Sequence, residues 1–123
     1  MVDGQVSHTF DFKKTDKILH RSEFVKLSKQ GKKVQDHYFV VLFMTGVSPC
    51  SRMGITVSRR VGNAVERNRL KRLIREWFRM NKSSAGKIYD VNIIARKTAA
   101  GLTYCQVVES LEKLFDRLRG VRH

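Results

Sequence analysis

Proline is nearly absent from this chain, cysteine is scarce, and acidic residues are heavily outnumbered. One proline in 123 residues, with 41% apolar residues, describes an ordered globular chain of one-domain length that is large enough to bury a core. Cys50 and Cys105 stand alone without CxxC spacing. That excludes a disulfide framework and reads as two free thiols in a reducing compartment. His8, His20, His37 and His123 are scattered, with no pair at i, i+4. The longest apolar run, Tyr38 to Met44, is far short of the about 20 residues that span a bilayer. Met1 to Phe12 lacks the apolar stretch of a signal peptide, so a soluble, cytoplasmic chain is expected. No Ser–His–Asp order, HExxH pair, Walker loop or metal-ligand cluster is present, and catalysis by the chain itself finds little support.

Positive charge is what the chain has in excess. Lysine and arginine total 25 against 11 acids, for a net charge of +14. A field of that strength attracts polyanions at the cost of self-repulsion. It is concentrated between Ser58 and Arg79, where Arg59, Arg60, Arg67, Arg69, Lys71, Arg72, Arg75 and Arg79 meet only Glu66 and Glu76.

The hydrophobic patterning orders this charge. Residues 1–15 read as a polar, flexible N-terminal segment and 16–120 as a single domain. Ser22 is a candidate N-cap for a short helix, Glu23 to Gln30, that buries Phe24 and Leu27 and stops at Gly31. HYFVVLFM, residues 37–44, reads as a strand, and Gly46 to Ser51 as a loop. Arg52 to Arg59 alternates as a half-buried strand should. From Asn63 or Ala64 to about Met80, Leu70, Leu73, Ile74, Trp77 and Phe78 form one apolar stripe of a helix. Asn68, Arg72, Arg75 and Arg79 lie opposite it, with Arg67 and Lys71 on one flank and Arg69 on the other. Asn81 to Lys87 reads as a loop and Ile88 to Ala95 as a third strand. A last helix, about Tyr104 to Arg119, buries Val107, Val108, Leu111, Leu114, Phe115 and Leu118. The order is α-β-β-α-β-α, and a central helix that connects two strands implies strand–helix–strand packing on one sheet.

Seven of the eight cations between Ser58 and Arg79 are arginine, whose planar fork matches phosphate and stacks on bases. RNA is therefore the first candidate partner. A merely solvated face is the plain alternative, but such faces usually alternate in sign, as the last helix does. A membrane-surface helix is the other, but here the apolar stripe is needed to cover the sheet. Gly62 and Asn63 admit two readings: a structural cap, or backbone N–H groups that hold an anion.

Arg52 to Arg79 resembles the signature of the bacterial ribonuclease P protein subunit. The matching residues are Arg52-x-Gly54, Val57-Ser58-Arg59-Arg60, Gly62-x-Ala64-Val65 and Arg67-Asn68-Arg69-x-Lys71-Arg72, followed by Arg75-Glu76. The likeness extends outward to Phe24 and, on the other side, to Asp90–Val91 and Arg96–Lys97. It implies an α+β fold, an α/β sandwich of three helices on a mixed central sheet, with a left-handed βαβ crossover around the central helix. It implies a ribonucleoprotein endonuclease in which a catalytic RNA removes the 5′ leader of precursor tRNA and holds the Mg2+, with no ion bound tightly by the protein. Partners would be that RNA and the leader, with no membrane and no obligate protein partner. The RNA-binding set it implies is Arg59, Arg60, Asn63, Arg67, Asn68, Arg69, Lys71, Arg72, Arg75 and Arg79. The leader set is Phe24, Arg59 and Arg60. Ser28 stands where many relatives carry a second aromatic, Leu42 where some carry tyrosine, and Lys17-Ile18 where the family has Arg-Leu. A ribosomal-type RNA-binding protein or RNA chaperone would explain the charge but not the whole signature.

Overall fold

A computed structural model describes residues 21–46, 51–81 and 89–120. The expectations for the N-terminal segment, Cys50 and the loop residues 47–50 and 82–87 lie outside them. The chain runs α1 (Arg21–Gln30), β1 (Lys32–Gln35), β2 (Phe39–Thr45), β3 (Arg52–Val57), α2 (Ala64–Asn81), β4 (Tyr89–Ala95), a 3-10 turn at Lys97–Ala99, and α3 (Tyr104–Gly120).

The sheet order is β1-β2-β4-β3, with β1–β2 and β2–β4 antiparallel and β3–β4 parallel. Parallel pairing requires a crossover, and α2 supplies it. β4 is central and buried on both faces, so Asp90 and Asn92 are buried beside Val91 and Ile93. One face carries Phe39, Val41, Phe43, Met53, Val57, Tyr89, Val91 and Ile93 into a core shared with Leu70, Ile74, Trp77 and Phe78 of α2 and Leu111, Leu114 and Leu118 of α3. Trp77 and Phe115 join the two helices edge to face, with centroids 4.8 Å apart. The predicted apolar stripe of α2 is thus buried, with Leu73 at its margin.

Three expectations need correction. α1 opens at Arg21, so Ser22 lies inside the helix and is not its cap. β1 adds a strand to the expected order. Its sequence, KKVQ, offers one buried residue, Val34, and so carries no readable alternation. The strand exists because Asp36 closes a tight hairpin. Its Oδ1 accepts from the backbone N–H groups of Tyr38 and Phe39, each at 2.8 Å, and its Oδ2 accepts from the Ser110 hydroxyl of α3. Arg117 adds a bond to the Gln35 carbonyl at 2.9 Å. Within α3, Ser110 is buried while Val108 is only half-buried.

Candidate nucleic-acid interface

Asn63 stands directly before α2. Asn63 Oδ1 accepts the Glu66 N–H at 2.9 Å, and the Asn63 carbonyl accepts the Arg67 N–H at 2.9 Å. Asn63 is therefore a cap.

The cations of α2 fall into two groups. Arg69 lays its fork on Glu66, with Nε to Oε1 at 3.0 Å and Nη2 to Oε2 at 2.7 Å. Glu66 Oε2 also accepts the Gly101 N–H at 2.9 Å. The Arg69 hydrogen bonds, followed by the Gly101 one, hold the Glu66 carboxyl down at about 2. Arg69 is raised in turn by the same pair. Arg79 pairs with Glu76. Asn68, Arg72 and Arg75 instead form an exposed strip opposite the buried stripe, with Lys71 half-exposed beside it. Neither Arg72 nor Arg75 has an acidic partner among the described residues. Arg67 lies at the flank with its Nε buried and without a hydrogen-bond partner.

A second basic group arises from the parallel register. Val57 pairs with Ala95, so Arg59–Arg60 and Arg96–Lys97 leave the sheet side by side at the same end, all four exposed. Arg96 is anchored by Nη1 to the Asp36 carbonyl at 3.1 Å. Sequence reasoning did not place Arg96 and Lys97 in the site. Their signal was a basic pair directly after a strand, which means little until that strand's neighbour is known.

The sheet face away from the core is only partly covered. Register aligns Leu42, Asn92 and Gly54 in one row, and Val40, Ile94 and Thr56 in the next. Val40, Leu42, Met44 and Ile94 are half-buried. α1 packs over this face through β2 and β4, with Leu27 buried, Phe24 part-exposed against Gly54, and Ser28 exposed. Arg52 donates to both oxygens of Asp90, at 3.1 and 2.8 Å, and pairs with Glu23 of α1. The Asp90 hydrogen bonds, ahead of Glu23, raise the Arg52 pKa further above its already high ordinary value.

Among the described residues no three His, Cys, Asp or Glu side chains converge as a metal site, and no helix is long and apolar enough to cross a membrane. Glu23, Glu66 and Asp90 are each engaged by an arginine. What the arrangement offers chemically is phosphate contact from an ordered helix face, beside a partly covered sheet face with basic residues at one end.

A family model described as Ribonuclease P matches residues 12–119. A ribonuclease P protein component of Desulforapulum autotrophicum is 44% identical over 110 residues, covering 89% of this chain and 94% of the relative. The Thermotoga maritima component is 38% identical over 116 residues, covering 91% and 99%. Among solved structures, the RNase P protein of Staphylococcus aureus has a TM-score of 0.78 at 36% identity, covering 84% of this chain and 94% of that one. The Thermotoga maritima RNase P protein has a TM-score of 0.77 at 37% identity, covering 87% and 98%. The chain belongs to the ribonuclease P protein family: it is the non-catalytic protein component of an endoribonuclease that works with an RNA subunit in processing the 5′ end of tRNA.

Proposed function

We propose that the exposed strip of α2, Asn68, Lys71, Arg72 and Arg75, grips the phosphates of the catalytic RNA, with Arg67 completing its flank. Asn63, Arg69 and Arg79 serve the same interface by capping and shaping the helix. The observation that carries this reading is that Arg72 and Arg75 stand exposed on the helix face opposite the core without acidic partners. An ordered row of free guanidinium groups is suited to phosphate.

The 5′ leader of precursor tRNA runs over the open sheet face, stacking on Phe24 and steered by Arg59 and Arg60, with Arg96 and Lys97 beside them. Mg2+ is held mainly by the RNA, since Glu23 and Asp90 beside this face are engaged by arginine. The protein acts in the bacterial cytoplasm and needs no second protein.

Reconstitution with the RNA subunit at limiting magnesium tests this. The protein should lower the magnesium needed to cleave precursor tRNA, while RNA-free protein should release no leader. A bound protein that leaves the magnesium requirement unchanged would overturn the reading.

A further inference from the structure

Two residues of β3 contact α1 at neighbouring positions. A Cβ at position 54 would lie 2.5 Å from Cε1 and 2.6 Å from Cζ of Phe24, closer than carbon atoms can stand. The Phe24 ring therefore rests on bare strand backbone, in space that any side chain at 54 would fill. Asn92 borders this seat, with its Oδ1 3.6 Å from the same point and accepting from the Thr56 hydroxyl at 3.1 Å. Two residues earlier, Arg52 bridges Asp90 of β4 to Glu23, the neighbour of Phe24 in the chain. α1 is thus fastened at two adjacent points, a charged clamp at Glu23 and a ring-on-glycine contact at Phe24.

We propose that Gly54 and Arg52 are positioning residues for leader recognition: together they set the height and angle at which the Phe24 ring is presented to a single-stranded leader. This rests on the leader reading given above. Position 54 acts as a size gate. Any side chain there lifts the ring from the strand and removes the platform in the form a base would meet. Arg52 keeps the helix from swinging once the ring is seated, because its fork fixes Glu23 relative to the central strand.

The test uses the reconstituted holoenzyme and two ligands, precursor tRNA with a leader of several nucleotides and mature tRNA. Tighter binding of the precursor by the wild type comes first; its absence would end the leader reading itself. Given that difference, Gly54→Ala should weaken precursor binding by about tenfold, the scale of one lost base stack, and leave mature tRNA and catalytic-RNA affinities within about twofold. Glu23→Gln should act in the same direction, by about threefold, as the clamp loosens without a change in the sheet. In a Phe24→Ala background both substitutions should have no further effect, since the ring they position is gone. Losses that add to that of Phe24→Ala, or a precursor affinity untouched by Gly54→Ala, would overturn the proposal. Should Gly54→Ala fail to fold, the Glu23→Gln and Phe24→Ala pair runs the same cycle, with additivity again the contrary result.

Discussion

Glu66 and Arg69 face each other across one turn of α2, carboxylate and guanidinium meeting at 3.0 and 2.7 Å. Glu66 reaches at the same time to the Gly101 N–H, which sits at a positive φ of 83° in the turn before α3. One carboxylate thus joins the RNA-facing helix to the approach to the last helix. It also engages two of the three guanidinium nitrogens of Arg69.

Substitutions on α2 should therefore separate into two kinds. Arg72→Ala or Arg75→Ala should weaken RNA binding by about 1.5–3 kcal/mol, the scale of a charge-assisted hydrogen bond. Each should flatten the salt dependence of log K by roughly one unit or less, with Tm unchanged. Arg69→Ala should lower Tm as well, because it strips Glu66 of its partner. Salt titrations of binding alongside thermal melts distinguish the two.

Acid should probe the Glu66 link. Its carboxyl is lowered from 4.5 to about 2. A depressed carboxylate contributes stability that is present above the unfolded value and lost as pH falls through the folded one. Urea midpoints measured between pH 6 and pH 2 should fall more steeply for the wild type than for Glu66→Gln, with the divergence confined to the window below about 4.5. Parallel curves would mean the pair contributes nothing to folding.

Phe24→Leu keeps most of the apolar volume under α1 and removes the aromatic face. Precursor tRNA should bind the holoenzyme more weakly by about 1–3 kcal/mol per lost base stack, and mature tRNA equally well. Equal losses for both ligands would assign Phe24 to packing alone and leave leader recognition to Arg59 and Arg60.

Asp36→Ala should destabilise the fold without touching the RNA surface. It leaves the Tyr38 and Phe39 N–H groups and the Ser110 hydroxyl without their acceptor. Such losses cost about 1–3 kcal/mol for each buried group, less where water can enter. Urea unfolding measures the loss, and an RNA affinity that falls in step with it would contradict the separation of hairpin from interface.

By itself the sequence determined α2 to within a residue at each end, with its buried stripe and its basic face. All three follow one 3.6-residue period, and a local repeat needs no distant partner to be read. The richness in arginine identified RNA for the same local reason, and the Arg52–Arg79 signature carried the family. Tertiary structure decided the rest. β1 became a strand through the Asp36 turn and its pairing with β2, since KKVQ has no pattern of its own. β4 is central in the sheet, so Asp90 is buried and its carboxylate anchors Arg52. Arg96 and Lys97 joined Arg59 and Arg60 only because β3 and β4 run parallel. Gly101 meets Glu66 across 35 residues of chain. Periodicity records which face of an element is buried. Which distant residues meet across that buried face is set by how the elements pack, and no local pattern encodes it.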